Sequence, residues 1–157
     1  MYNTKSLQKL AQVPIIKISA IVTDDTISNM VVGQYEENDV LKWGLPTLSL
    51  LSGETYSAAA ERVVKKHIGL LPILDVTPYC EFQQIGYDIK IVYTVIIKLK
   101  GKSFDLSKLT PEYNWKWIDI EKPSNGQYTD IAALTINLLK GNTIDNKNWK
   151  IYKITEL

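Results

Sequence analysis

A run with helical spacing, YSAAAERVVKKHI at residues 56–68, stands between stretches that alternate at period two, and this order constrains the fold more than any other feature. The helix has three alanines, Thr55 as an N-cap and Gly69 as a C-terminal stop. Before it, IIKISAIV at 15–22 is β-branched and alternates around Lys17 and Ser19, which predicts a strand. Asp24-Asp25 turns the chain, and 27–36 returns as a second strand. Residues 36–42 read as a polar connection, and 43–51 as an extended piece in which Pro46 argues against helix. After the helix, 70–84 and 87–100 predict two long strands around Ile85-Gly86, and 115–123 a short strand stopped by Pro123. Residues 129–141 predict a second amphipathic helix ending at Gly141, and the alternating tail 148–157 a late strand. A short helix is expected at 5–12, with Leu7, Leu10 and Ala11 on one side and Pro14 as its stop. Strand pair, extended loop, helix, strand pair, strand, helix is the order of an α/β fold, a mixed sheet with helices covering its faces.

The chain's 157 residues fit one domain over 1–157. A chain of that size buries about 68–70% of the surface its unfolded form exposes, so it needs no disulfide or structural metal. Lys plus Arg number 18 against 17 Asp plus Glu, and the net charge of +1 gives no general attraction to nucleic acid or an acidic membrane. Cys80 is the single cysteine, with no His/Cys cluster around it, and reads as a buried small hydrophobe. The first residues lack the apolar core of a signal peptide, and no stretch approaches 18 apolar residues, so the expected compartment is the cytoplasm.

Residues 43–70, WGLPTLSLLSGETYSAAAERVVKKHIGL, resemble the Nudix box with its preceding Trp-x-Leu-Pro. The family pattern is G-x5-E-x7-R-E-U-x-E-E-x-G-U, with U a bulky aliphatic. Glu54 falls on the first glutamate, Arg62 on the arginine, Val64 and Leu70 on the two U positions and Gly69 on the late glycine, with no gap. Trp43, Leu45, Pro46, Gly53, Thr55, Ala59 and Ala60 also fall where family members commonly carry the same or similar residues. The element order fits the family over about 14–141. The resemblance therefore implies a Nudix-type α/β/α sandwich around a mixed sheet, with a short N-terminal extension and a C-terminal tail.

The departures lie where the family's chemistry lies. The resemblance implies metal-assisted attack of water on a diphosphate, and magnesium wants hard oxygen ligands in octahedral geometry. Here Val63, Lys66 and His67 replace box glutamates, Leu48 and Thr47 stand at glycines, and Leu51 at an acid. Positions 63, 66 and 67 share one helix face, which now offers an aliphatic group, an ammonium and an imidazole. An ammonium has no lone pair and repels a divalent cation. Glu54 is the residual catalytic candidate, and no metal ligand set is expected.

Arg62, Lys66 and His67 are candidates to meet a phosphate directly. The ordinary readings are a partner of Glu54 or of a carbonyl for Arg62, a solvated lysine for Lys66 and a helix-end imidazole for His67. Tyr113, Trp115 and Trp117 alternate, which would put them on one strand face, and indole rings stack nucleobases. Tyr113 and Trp115 are the ligand candidates, whereas Trp117 reads as core. Tyr79, Phe82 and Tyr87 are further pocket-wall candidates, and Glu81, Asp88, Asp119 and Glu121 are acids that a fold might bring to Glu54. The favoured reading is a pseudoenzyme that binds a nucleotide, another diphosphate-containing small molecule or a protein partner with little or no hydrolysis, and no cofactor. The alternatives are an active hydrolase of a nucleoside diphosphate linked to another group, using magnesium, Glu54 and acids outside the box, and a structural protein-interaction module.

Overall fold

The computed structural model describes residues 14–84, 86, 89–101, 106, 113–142, 144 and 146–155. The helix expected at 5–12, and Ile85, Tyr87 and Asp88, lie outside these residues. In chain order the elements are β1 Ile15–Thr23, β2 Asn29–Glu37, β3 Val40–Gly44, β4 Thr47–Ser49, α1 Tyr56–His67, β5 Ile73–Gln84, β6 Lys90–Leu99, β7 Lys116–Asp119, α2 Asp130–Leu139 and β8 Trp149–Lys153.

The strands form one mixed sheet in the order β3-β2-β1-β6-β5-β8, with β4 paired to β1 and β7 to β2. β1 and β6 run parallel from Ile15↔Lys90 to Thr23↔Lys98, and the other pairs are antiparallel. Strand alternation divides the core in two. Ile18, Ala20 and Val22 of β1 face α1, together with Val95 and Ile97 of β6. Ile21 faces α2, with Met30, Phe82 and Ile96. The architecture is an α/β/α sandwich around a mixed sheet, as the resemblance implies. Lys17 and Ser19 share the parity of Ile21 and therefore emerge on the α2 side.

α1 starts where Thr55 Oγ1 accepts the Ala58 amide at 3.1 Å, a cap worth about 1 kcal/mol. It buries Ala59, Ala60, Val63 and Val64 against the sheet. The two alanines bring the backbone close, and each valine contributes about 1.5–3 kcal/mol on burial. Lys65, Lys66 and His67 in the last turn complement the helix dipole. Gly69, at φ 132°, donates its amide to the Val64 carbonyl at 2.9 Å and ends the helix. α2 is capped alike, Thr129 Oγ1 accepting the Ala132 amide at 3.3 Å, and stops before Gly141 at φ 80°.

Several expectations are corrected. Residues 36–42 are not a connection but the tip of a hairpin. Asn38 and Asp39 adopt φ 54° and 62°, the left-handed pair of a two-residue turn, and β3 pairs with β2 from Glu37↔Val40 to Gly33↔Gly44. The strand expected from Trp115 begins at Lys116, because Tyr113 and Asn114 are left-handed at φ 74° and 48°. Tyr113, Trp115 and Trp117 therefore do not share one strand's alternation, although all three pack on the α1-side core. Trp115 is the buried one, at 8% exposure, and Trp117 is half-buried. Tyr79 and Phe82 are core residues on the α2 side. Cys80 is buried as expected, and the tail joins the sheet through β8, which pairs with β5.

Candidate functional site

The three-residue strand β4 links the two faces of the molecule. The Ala20 amide donates to the Pro46 carbonyl at 2.9 Å, and the Leu50 amide to the Ile16 carbonyl at 3.1 Å. The even-numbered residues of this stretch thus spend their backbone groups on β1, and the carbonyls of Thr47 and Ser49 turn away from it. α1 receives both. The Arg62 guanidinium donates to the Ser49 carbonyl at 2.6 Å, and His67 Nε2 lies 3.0 Å from the Thr47 carbonyl. A carbonyl oxygen can only accept, so Nε2 carries the proton. The side chains of the same two residues point to the α2 side. Ser49 Oγ accepts from Lys17 Nζ at 3.1 Å. Thr47 Oγ1 donates to the Leu45 carbonyl at 2.9 Å and lies 2.7 Å from Ser19 Oγ, which therefore donates to it.

Glu54 is engaged on both oxygens. Arg62 Nε donates to Oε2 at 2.8 Å, its terminal nitrogen donates to Oε1 at 3.0 Å, and the Leu51 amide donates to Oε1 at 3.0 Å. The Arg62 side chain, and then the Leu51 amide, hold the Glu54 carboxyl below its ordinary range, and Glu54 raises the Arg62 guanidinium. Val63 is fully buried in the core, and Lys66 is exposed. The His67 ring meets Tyr113 edge-on at 5.3 Å and Trp115 at 6.2 Å, and Tyr113 lies 4.9 Å from Tyr35.

Such a donor set does not fit magnesium. The helix face offers no carboxylate, and the remaining one is already held by a guanidinium and an amide. Glu81 stands beside the Tyr93 hydroxyl and accepts from Gln83 Nε2 at 2.8 Å. Asp119 Oδ1 accepts the Glu121 and Lys122 amides at 2.9 and 3.3 Å. Among the described residues no group of three or more His, Cys, Asp or Glu is placed to hold a metal ion.

A cleft of about 270 Å³ opens on the α2 side, where β1 and β2 diverge after their single pairing at Thr23↔Met30. Lys17, Ser19 and Thr47 form one wall, Leu45 and Val92 its apolar floor, and Thr129 at the N-terminus of α2 the far side. A more polar hollow of about 360 Å³, with Lys90, Asp130 and Trp149, shares Glu37, Thr129 and Ile131 with it. None of the expected ligand residues lines either space, whereas Thr47 touches both the cleft and His67. The cleft residues come from separate elements. Their one signal in the sequence was Lys17 and Ser19, two polar residues at alternate positions of an otherwise apolar strand.

This architecture is that of the Nudix hydrolases. A MutT from work on Aliivibrio salmonicida and Vibrio cholerae superposes with a TM-score of 0.61 at 14% identity, covering 82% of this chain and 98% of that one. MutT from Methanosarcina mazei Go1 gives 0.59 at 17% identity, covering 83% and 96%. A bifunctional NMN adenylyltransferase/ADP ribose pyrophosphatase from Francisella tularensis gives 0.56 at 17% identity, covering 85% of this chain and 44% of that one. No protein-family model matches the sequence, and neither does any curated protein. The likeness is one of fold, and this chain is a Nudix-fold domain. Among the described residues no helix is long and apolar enough to cross a membrane.

Proposed function

We propose that the chain is a Nudix-fold ligand-binding domain with little or no hydrolytic activity, taking a nucleotide or another diphosphate-containing small molecule in the cleft beside α2. The observation that carries this reading is the pairing of an open cleft with an α1 face that has no carboxylate. Leu45, Val92 and Ile131 offer apolar contact to a base or sugar face, Thr129 offers a hydroxyl donor, and the mutually bonded Ser19 and Thr47 offer acceptor oxygens. Lys17 is the cation of the cleft, which Glu36 and Glu37 also line, Glu37 being paired with Lys42 at 2.9 Å. An ammonium neutralises phosphate as a point charge without a metal.

ADP-ribose is a suitable probe, because one neighbour of this fold is named an ADP ribose pyrophosphatase. Calorimetry should show ADP-ribose binding that survives EDTA, weakens as salt rises and weakens further in Lys17→Glu. Incubation with magnesium should leave ADP-ribose, NADH and nucleoside triphosphates intact. Binding that appears only with magnesium would overturn this reading. So would turnover in the ordinary enzyme range of about 1–10³ per second, abolished by Glu54→Gln, which would establish the hydrolase instead.

A further inference from the structure

We infer that His67 is a positioning residue for the cleft: its Nε2–H holds the Thr47 carbonyl, and through Thr47 it fixes the Ser19–Thr47 hydroxyl pair. The inference uses the cleft assigned above as the ligand site. It goes beyond that assignment in giving this imidazole a task that does not require it to touch the ligand.

β4 has three residues and pairs with β1 only at Lys17↔Ser49, Ile18↔Leu48 and Ser19↔Thr47. Its other side faces the gap where β2 has left β1, into which the Tyr35 hydroxyl reaches toward the Thr47 backbone, and among the described residues no strand pairing receives the Thr47 carbonyl. An unmade bond to a half-buried carbonyl costs more than a made one returns, so the donor at position 67 matters. The donor is well anchored. Val63, Val64 and Ile68 are buried on either side of it along the chain, which fixes the end of α1. Tyr113 meets the imidazole at 89° between ring planes, and Trp115 lies against it at 58°. The contact continues into the cleft, because Thr47 Oγ1 joins Ser19 Oγ and the Leu45 carbonyl there. Arg62 makes the equivalent link at Ser49, whose hydroxyl receives Lys17. α1 thus holds from behind, with two side chains, a cleft wall that is too short to hold itself.

The test separates the donor from the ring. ADP-ribose is titrated into the unaltered protein, His67→Phe and His67→Gln, and amide hydrogen exchange is followed at Ala20 and Leu50, whose bonds tie this stretch to β1. The Ala133 amide in α2, bonded to the Thr129 carbonyl, reports whether the fold is intact. Phenylalanine keeps a ring against Tyr113 and Trp115 but has no donor. It should weaken ADP-ribose about tenfold, which is about 1.4 kcal/mol, and speed exchange at Ala20 and Leu50 while leaving Ala133 unchanged. Glutamine, whose amide reaches the same carbonyl, should restore both. A phenylalanine variant that binds and exchanges like the unaltered protein overturns the inference. A glutamine variant as impaired as phenylalanine also overturns it, since ring packing would then be what matters. If the unaltered protein binds no ADP-ribose and exchange at Ala20 and Leu50 still follows the donor, the functional reading falls and the hold of His67 on β4 stands.

Discussion

Arg62 grips both carboxylate oxygens of Glu54, at 2.8 and 3.0 Å, eight residues away across the start of α1. The pair ties the loop before the helix to the helix itself, and Arg62 carries the tie on to β4 at the Ser49 carbonyl. Glu54 is therefore a brace for the chain, with both of its oxygens already accepting hydrogen bonds.

The brace has a pH signature. The Glu54 carboxyl titrates below its ordinary range when folded, chiefly through its hydrogen bonds from Arg62. A group of this kind contributes stability that is present above its unfolded pKa, about 4.3, and is lost as pH falls through the folded value. Glu54→Gln should therefore melt below the unaltered protein at pH 7. The gap should close as pH drops below 4. A gap of constant size from pH 7 to pH 3 would show that the carboxylate charge is not what holds the loop.

Gly33 has no room for a side chain. A Cβ built there lies 2.4 Å from Trp115 Cζ3 and 2.5 Å from Cε3, and Trp115 is wedged among Tyr35, Tyr113 and His67. Overpacking of this kind costs about 1–3 kcal/mol. Gly33→Ala should lower the melting temperature by several degrees and change the Trp fluorescence spectrum, because the indole must shift. An unchanged spectrum would place Trp115 elsewhere.

The fold was largely legible because its signals are local. The alternation of IIKISAIV, the Thr55 and Gly69 caps and the two long β-branched runs each act within a few residues, and each became the element they specify. The β2–β3 hairpin was missed because its turn is Asn-Asp without glycine, so composition presented it as a polar loop. Trp117 packs on the core as expected, but Trp115 is the more deeply buried of the two, held below the left-handed Tyr113 and Asn114, which no period-two pattern conveys. Arg62 was legible as a partner of Glu54 or of a carbonyl and is both, whereas His67 was harder to read, since the carbonyl beside it is exposed only by how β4 pairs with β1. The cleft was not legible, because Ser19, Thr47, Val92 and Thr129 are brought together by the sheet and not by the chain.

Gly69 sits at φ 132°, where a β-branched residue is strained. Gly69→Val should destabilise the protein by about 1–3 kcal/mol, because the hydrogen bond from the Gly69 amide to the Val64 carbonyl at 2.9 Å depends on that turn. An unchanged melting temperature for the valine variant would show that the turn at Gly69 is not what limits the site.

Glutamates placed at positions 63, 66 and 67 together should not build a magnesium site. Val63 is fully buried against the sheet, so Val63→Glu would put a carboxylate into the core, where a charge without partners is strongly unfavourable. Lys66 is exposed, and His67 already points at the Thr47 carbonyl. His67→Glu would bring a carboxylate to that backbone oxygen, and Lys66→Glu would replace the neighbouring positive charge with a second carboxylate, so that hard donors that magnesium prefers gather at this end of α1. The carboxylate at 67 and the Thr47 carbonyl would repel each other unless a cation lay between them. Magnesium should therefore raise the melting temperature of this double variant, by linkage worth about 2.7 kcal/mol at a hundred times the dissociation constant, and leave the unaltered protein unmoved. The triple variant with Val63→Glu should melt lower than the double variant with or without magnesium. A triple variant that equals the double in stability would show that the Val63 side of α1 is not packed as described, and magnesium stabilisation of the unaltered protein would show that the present residues already hold the ion.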